Sequence, residues 1–397
     1  MSHQLISRSL DLKRLRDEGY GIEIISRYLL IKPVPYVNAE RQVKLGTLVL
    51  ELTLALGDVT TAPSTHVAYF IGDHPCNMDG SKLSKIEHSS SRQQLAQDIL
   101  VDHSFSAKPL SGSYKDYYEK VKTYVAIIAG PAQKIDASAT AQTFPLITSE
   151  EEDSVFYYLD TASSRAEINM ISRKLEPYKI AIIGLGGTGS YVLDFVAKTH
   201  VKEIHLFDRD EFLQHNAFRA PGAPSSDHFG TAPKKVSYFK DLYSRMRRGI
   251  VAHDCHIDAS NTDKLREMDF VFLCIDDGEA KRIIVESLES LGIRFVDVGM
   301  GIELVDDSLR GILRVTASTA KQREHFRKRV SLADAVGNDD YDRNIQIVEL
   351  NALNAAMAVI KWKKLCGFYL DFENEHHSTY TINSNMLLSE DQLCSEK

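Results

Sequence analysis

A glycine-rich turn near the middle of the chain constrains the fold more than any other feature. Gly184, Gly186 and Gly189 form the pattern G-x-G-x-x-G between the apolar run KIAIIG and the segment SYVLDFVAKT. The run has the length and composition of a buried strand, and the segment after it has the apolar spacing of a helix. Glycine permits the tight turn and lets the backbone approach a phosphate at the start of the helix. The motif therefore predicts a strand, a phosphate-binding loop and a helix, in that order.

The residues after this turn continue to alternate between strand and helix patterns. Parallel strands joined by crossover helices form a doubly wound sheet, and functional residues in such sheets gather at the carboxyl ends of the strands. We therefore predict a Rossmann-like doubly wound mixed sheet. The predicted strands after KIAIIG are EIHLFD, IVAHDCHI, MDFVFLCID and RFVDVG, and the predicted helices are PKKVSYFKDLYSRM and AKRIIVESLESLG.

The length of 397 residues favours two domains rather than one. A polar and acidic stretch at 137–153 is typical of a connector, which places the boundary near residue 150. We predict a smaller α+β domain at 1–150, the doubly wound domain at 151–385 and a polar tail at 386–397.

The N-terminal domain shows weaker patterns. We expect a charged helix around Leu10 to Asp17, a strand broken at Pro33 and Pro35, and an amphipathic helix within 113–135.

Composition excludes several classes of protein. The formal charge of -8 argues against nucleic acid as the main partner, and no apolar run approaches the length of a membrane span. The charged start lacks the apolar core of a signal peptide, which predicts a cytoplasmic protein. None of the 5 cysteines has CxxC spacing, so we expect neither a zinc site nor a disulfide framework.

The glycine loop alone predicts an adenine nucleotide but does not separate NAD from ATP. Asp208 ends the next predicted strand, 19 residues after Gly189, where a carboxylate can hold the ribose hydroxyls. Asp210, Asn216 and Arg219 follow in the loop beyond that strand. Arginine suits bidentate contact with phosphate oxygens, which hydride transfer does not need at this position.

Two further groups of residues, one at a helix start and one at a strand end, favour ATP over NAD. Lys234 and Lys235 follow Pro233 at a predicted helix start, where a lysine can reach the β- and γ-phosphates. Asp276 and Asp277 end the strand FVFLCID, where a carboxylate can bind Mg2+. Each residue alone is compatible with a solvated charge or a helix cap, but their clustering at the strand ends of one sheet favours phosphoryl chemistry.

The run GLGGTGSYVLDFVAKTHVKEIHLFDRDEFLQHNAFR resembles the ThiF/MoeB/HesA adenylyltransferases and the ubiquitin-activating enzymes. The resemblance covers roughly residues 160–368 and implies ATP- and Mg-dependent adenylation of the C-terminal carboxylate of a ubiquitin-like or sulfur-carrier-like small protein. It also implies a homodimer, because Arg165 resembles the arginine that enters the partner subunit's site. The roles carried over are the phosphate loop for Gly184, Gly186, Gly187 and Gly189, ribose binding for Asp208, phosphate contact for Asn216, Arg219 and Lys235 (or Lys234), and the metal ligand for Asp276, with Asp277 as the alternative.

The sequence departs from this family in two places. Ala220 stands where the family has glutamine after the arginine of its Asn-x-x-Arg motif. No cysteine lies between Arg294 and Asn351, so the usual thioester cysteine has no counterpart. Alternative acyl acceptors are Cys76, which we expect in an exposed turn beside His74, and the hydroxyl groups of Thr316, Ser318 and Thr319. Direct transfer of the adenylate to a partner is the remaining case.

Several functions stay open from the sequence. The leading one is the activating enzyme of a bacterial conjugation or antiphage defence pathway, acting with a conjugating enzyme; the N-terminal domain is then expected to bind a partner, and a conjugating-enzyme-like fold around Cys76 is one form of this idea. The alternatives are adenylation of a small-molecule, peptide or RNA carboxylate, an NAD-dependent oxidoreductase, and a catalytically silent nucleotide-binding scaffold.

Overall fold

The computed structural model describes residues 2–55, 59–148, 154–332 and 345–392. The chain divides into two compact units, Met1–Ile147 and Thr148–Lys397. Each unit is described by itself.

The first unit contains a six-stranded antiparallel sheet in the order β1-β2-β3-β6-β10-β7. The long helix α3 packs on this sheet through its buried face, which includes Tyr117, Val121, Tyr124 and Ile128. The elements are α1 (Ser2–Arg8), α2 (Leu10–Asp17), β1 (Ile22–Ile25), β2 (Tyr28–Val37), β3 (Val43–Glu51), β4 (Leu54–Ala55), β5 (Val59–Thr60), β6 (Val67–Ile71), β7 (Glu87–Ser89), β8 (Gln93–Ala96), β9 (Ile99–Val101), β10 (His103–Ser106) and α3 (Tyr117–Ile135).

The predicted break in the second strand is wrong. β2 runs through both Pro33 and Pro35, and its pairing with β3 shifts register between Ile31 and Val34. Proline lacks the N–H that a sheet ladder uses, and such an irregularity is where a strand tolerates it. The helix predicted around Leu10 to Asp17 is confirmed as α2.

The second unit carries an eight-stranded sheet with the order β13-β12-β11-β14-β15-β16-β17-β18. Its elements are α4 (Thr161–Arg165), α5 (Asn169–Ser172), β11 (Lys179–Ile183), α6 (Gly187–Ala197), β12 (Glu203–Phe207), α7 (Gln214–Ala217), α8 (Lys235–Tyr243), β13 (Ile250–His253), β14 (Phe270–Leu273), α9 (Gly278–Leu291), β15 (Arg294–Val305), β16 (Ser308–Ser318), α10 (Phe326–Arg329), α11 (Val348–Leu365), β17 (Glu375–Thr381) and β18 (Met386–Gln392).

The predicted doubly wound mixed sheet is confirmed. The strands β13, β12, β11, β14 and β15 pair in parallel, and β16, β17 and β18 extend the sheet with antiparallel pairs. Residues of α6, α8 and α11 join the core on one face, and residues of α9 and α10 join the core on the other. The order in which successive strands join the sheet reverses between β11 and β14, and this switch point is where open α/β sheets bind ligands.

The predicted polar tail is wrong over its first part. Met386–Gln392 form β18, which pairs with β17 at the edge of the sheet. The alternation within this segment is too polar to predict a strand by itself, and pairing with β17 supplies the missing stabilisation. Cys394 lies outside the described residues.

A membrane-crossing helix is not found among the residues that the structure describes, because none of their helices combines sufficient length with sufficient apolarity.

Candidate active site

The glycine loop needs glycine for different reasons at different positions. Gly184 has a φ of +87°, and a Cβ there would lie 2.5 Å from the carbonyl oxygen of Cys274. A Cβ on Gly189 would lie only 1.9 Å from the carbonyl oxygen of Gly184, so this residue lets α6 pack against β11. Gly186, which precedes the first residue of α6, has open space around its Cβ position. Gly186 is therefore the position that leaves room for a ligand.

Asn351 on α11 holds the start of α6 and was missed by the sequence analysis. Its side chain is fully buried, and a Cβ on Gly187 would lie 2.0 Å from its Nδ2. Its Oδ1 accepts a hydrogen bond of 3.1 Å from Thr188 Oγ1, and its Nδ2 donates to the carbonyl oxygen of Arg219 at 3.5 Å. Asn351 thus connects the glycine loop to the loop after β12. An asparagine inside the apolar run of a helix was the available signal.

Asp208 lies at the end of β12 and fixes the glycine loop from the other side. It is 6% exposed; its Oδ2 accepts from Leu185 N at 2.7 Å, and its Oδ1 accepts from Asp210 N at 2.8 Å. A carboxylate has about four acceptor positions, so capacity remains for ribose hydroxyls.

Lys235, rather than Lys234, faces the carboxylates of this edge. Its Nζ lies 2.7 Å from Asp210 Oδ2 and 3.7 Å from Asp208 Oδ2, and the hydrogen bond from Lys235 is the main cause that holds the pKa of Asp210 below its usual range. Lys234 Nζ instead donates to the carbonyl oxygen of Arg209 at 2.9 Å. Asp208, Asp210 and His256 are close enough to hold a metal ion, but the ammonium group already supplies positive charge there.

Arg219 and Asp276 approach each other at the switch point. Arg219 is half-buried and its Nε has no hydrogen-bond partner among the described residues. Burial lowers the pKa of Arg219, and the negative charge of Asp276 partly offsets this effect. Asn216, one turn before Arg219, is buried and accepts from Leu213 N at 2.8 Å. A half-buried guanidinium with an unused donor is suited to bind phosphate oxygens.

The two neighbouring aspartates have different surroundings. Asp277 is the N-cap of α9, and its Oδ1 accepts from Ala280 N at 2.8 Å. Both aspartates are exposed, and Asp276 lies between the end of β14 and the capping residue Asp277. The capping bond gives Asp277 a structural task, which leaves Asp276 as the stronger candidate for a metal ligand.

Arg165 is the last residue of the short helix α4 and is exposed. The structure brings it to the surface of the second unit, and its insertion into a partner subunit stays a prediction.

The proposed acyl acceptors are not accessible. Cys76 was expected in an exposed turn, but it is 1% exposed, its Sγ donates to the carbonyl oxygen of His74 at 3.2 Å, and burial raises the pKa of its thiol. Thr316, Ser318 and Thr319 are also buried. Thr316 Oγ1 contacts a histidine of β17 at 3.0 Å and Thr319 Oγ1 contacts another at 3.1 Å, which commits both hydroxyl groups to the sheet.

Two of the other three described cysteines have thiols whose ionisation burial disfavours. Cys274 and Cys366 pack against the core of the second unit, and burial raises the pKa of both thiols. Cys255 is half-buried and packs against the core on the opposite face of the sheet, and Lys264 Nζ lies 3.7 Å from its Sγ.

The fold and the strand-end residues define the class of a nucleotide-binding adenylating domain. The ThiF family model matches residues 153–325, and a second family, described only as a domain of unknown function (DUF6791), matches residues 10–161. Most of the second unit is therefore similar to the ThiF family, and a region similar to the DUF6791 family precedes it. This confirms the resemblance seen in the sequence and supports an adenylating enzyme.

Many solved structures match the chain at low identity. The microcin C7 biosynthetic enzyme MccB in complex with N-formylated MccA is 19% identical over 59% of this chain and 72% of its own, with a TM-score of 0.46. E. coli MccB with ATP is 18% identical over 57% and 68%, with a TM-score of 0.44, and PaaA is 16% identical over 56% and 75%, also with a TM-score of 0.44. At these values the matches carry no argument about substrate. No curated protein matches significantly.

Proposed function

We propose that the second unit uses ATP and Mg2+ to adenylate the C-terminal carboxylate of a small protein or peptide. By the family resemblance, the substrate class is a ubiquitin-like or sulfur-carrier-like protein, and the chain is the activating enzyme of a bacterial conjugation pathway. The observation that carries the proposal is the position of Arg219, whose half-buried guanidinium lies near Asp276 at the switch point of the sheet.

The reaction follows from the charges at this edge. A carboxylate oxygen of the substrate attacks the α-phosphorus of ATP, the new P–O bond forms an acyl adenylate, and the bond to the β-phosphate breaks and releases pyrophosphate. No proton has to be moved in this step, so the site needs positioning and cations more than acid–base groups. Arg219 and Lys235 supply fixed positive charge for the triphosphate, and Gly186 leaves the space in which the backbone approaches it.

The residues present fit a magnesium ion. Asp276 would hold it, because Asp277 is engaged as a helix cap and a Mg2+ ion commonly takes one or two carboxylates together with phosphate oxygens and water. When bound, the ion supplies charge neutralisation for the triphosphate.

The adenylate is proposed to pass directly to a partner or acceptor. Among the described cysteines, burial raises the pKa of the thiols of Cys76, Cys274 and Cys366, which disfavours the thiolate that thioester formation requires. We further propose that Arg165 acts in a homodimer and that the N-terminal domain recruits the small protein or a conjugating partner.

An NAD-dependent oxidoreductase fits the site less well. Hydride transfer uses the glycine loop and Asp208, but it gives no task to Arg219, Lys235 and Asp276 together.

Product analysis separates these functions. With ATP labelled on the α-phosphate and a set of small proteins and peptides with free C-terminal carboxylates, we expect AMP-linked product and pyrophosphate, not ADP. Arg219→Met should abolish product, whereas the matched variant Arg209→Met, ten residues earlier on an exposed loop position, should retain it. Tight NAD binding without any AMP-linked product would reject adenylation.

A further inference from the structure

A buried group of charged side chains beside the proposed site has an excess of positive charge. Asp297 on β15 is fully buried. Its Oδ1 lies 2.8 Å from Lys281 Nζ, and its Oδ2 lies 2.7 Å from Arg314 Nη2. Over the described ranges of the chain, Lys281 and Arg314 form ion pairs only with this carboxylate. Two cations therefore share one anion.

Among the described residues, the other side chains in direct contact with Arg314 do not supply a second negative charge. Arg314 Nη1 donates to Thr316 Oγ1 at 3.0 Å, and Thr316 Oγ1 lies 3.0 Å from His377 Nδ1. Burial, followed by the charges of Arg329 and Arg314, lowers the pKa of His377, and the carboxylates of Glu390 and Asp391, which pair with Arg329, partly offset this effect. A largely buried cation that shares its counter-ion with a second cation is costly, and a second anion would relieve that cost.

Arg314 is the member of the cluster that an anion can reach. Its side chain is 19% exposed, compared with 7% for Lys281. It lies over Gly299, where a Cβ would stand 2.5 Å from Nη2. Ile312, which shares this face of β16 two residues away, is exposed. The glycine therefore lets the guanidinium lie flat on the sheet with one edge towards solvent.

The order of the strands separates this cation from the phosphate-binding residues. The glycine loop follows β11, the candidate metal ligand follows β14, and the charged cluster lies on β15 and β16 beyond it. Neighbouring strands are about 4.8 Å apart, so β16 lies roughly 10 Å from β14. The proposed nucleotide site at the end of β11 and the charged cluster thus flank the end of β14 from opposite sides.

The helix α11 connects the two sides. Asn351 donates to the carbonyl oxygen of Arg219, and Asn354, one turn later and also fully buried, donates to the carbonyl oxygen of Gly299 at 3.0 Å. One buried helix face therefore holds both the phosphate-side loop and the strand residue beneath Arg314 in fixed positions.

We propose that Arg314 binds the terminal carboxylate of the substrate and holds it for attack on ATP. This inference rests on the proposed function. The carboxylate completes the charge balance of the cluster, and a guanidinium binds a carboxylate with charge-assisted hydrogen bonds. Asp297 and Lys281 are positioning residues, because they hold the guanidinium against Gly299 and do not reach the substrate themselves.

The test uses two small probes that differ only in the terminal group, N-acetylglycylglycine and its C-terminal amide. Their binding to the full chain in the presence of a non-hydrolysable ATP analogue is measured by saturation-transfer NMR. We expect the wild type to prefer the acid about tenfold, as for one charge-assisted hydrogen bond. Arg314→Met should remove this preference. The cluster then holds one cation and one anion, so it remains balanced.

The chain offers a matched control and a second variant. Arg310→Met removes an arginine from the same face of β16, but this residue is exposed and pairs with Glu303, so the preference should remain. Gly299→Ala displaces the end of the Arg314 side chain while every charge stays, and the preference should fall. Equal binding of acid and amide by the wild type, or an unchanged preference in Arg314→Met, would overturn the proposal.

Failure of this proposal and failure of adenylation give different results. An intact acid preference without ATP–pyrophosphate exchange would reject adenylation and keep the carboxylate site. Exchange that Arg314→Met leaves unchanged, with no acid preference in the wild type, would reject the carboxylate site and keep adenylation. Calorimetric ATP binding by each variant shows whether the nucleotide site is still formed.

Discussion

Alanine at Gly189 should mainly lower the stability of the domain, whereas alanine at Gly186 should mainly weaken nucleotide binding. At Gly189 the added Cβ would lie 1.9 Å from a backbone oxygen of Gly184, where a carbon–oxygen contact needs about 3.3 Å. Neither atom belongs to a flexible side chain, so relief requires a shift of α6 against β11. Overpacking typically costs 1–3 kcal/mol, and we expect about 3 kcal/mol, which lowers the Tm by roughly 6–12 °C in a domain of this size.

At Gly186 the added Cβ meets nothing within 4 Å, and the φ of -69° suits alanine. The free energy of unfolding should change by less than about 0.5 kcal/mol. The methyl group would nevertheless occupy the space through which a phosphate approaches, so we expect the affinity for ATP to fall at least about tenfold, or 1.4 kcal/mol.

The two variants are compared by thermal unfolding without nucleotide and by calorimetric titration with ATP. Gly186→Ala that binds ATP as tightly as the wild type would refute the assignment of this loop to the phosphates. Gly189→Ala that melts with the wild type would refute the packing of α6 on β11.

Three other substitutions test separate parts of the structure. Arg247→Met should lower the free energy of unfolding by about 2–4 kcal/mol, because the fully buried guanidinium donates hydrogen bonds to backbone carbonyl groups that would lose these donors. Urea titration measures this change, and an unchanged midpoint of the unfolding transition would contradict the prediction. Burial lowers the pKa of Lys120 to about 8 from an unfolded value of 10.5, so the unfolded chain binds more protons between these pH values. The free energy of unfolding should therefore rise with pH across this range, by at most about 3 kcal/mol. Lys120→Met should remove the rise, and a rise that persists in this variant must come from another group. Asn351→Leu should weaken ATP binding about tenfold, because its hydrogen bonds to the glycine loop and to the loop after β12 are lost. Calorimetric titration with ATP measures this change, and wild-type affinity would exclude a role for Asn351 in holding these loops for the nucleotide.

Local patterns in the sequence were sufficient to place the residues of the proposed nucleotide site at one edge of the sheet. The loop at Gly184 and the acids that end β12 and β14 follow from strand and helix periodicity, because parallel strands bring their carboxyl ends to one edge. The structure also separates roles that the sequence left open. Lys235 faces the carboxylates while Lys234 does not, and Asp277 is a helix cap.

Features that depend on pairing distant in the chain could not be predicted. The sequence around Thr316 suggested an available hydroxyl group, but pairing of β16 with β17 buries this residue against His377. The sequence around Cys76 has the pattern of an exposed turn, but the backbone of Cys76 forms an isolated β-bridge with Val37, and its side chain is buried. The tail from Met386 becomes a strand only because β17 is available as its neighbour.

The most direct test of adenylation is ATP–pyrophosphate exchange by the full chain, measured with a panel of small proteins and peptides that have free C-terminal carboxylates. The account predicts substrate-dependent exchange that Asp276→Ala abolishes. Asp277→Ala, the matched variant, should lose a helix cap worth about 1 kcal/mol of stability but retain exchange. Full exchange by Asp276→Ala together with its loss in Asp277→Ala would contradict the assignment of the metal ligand, and absence of exchange with every substrate, in a chain that still binds ATP, would contradict the central claim.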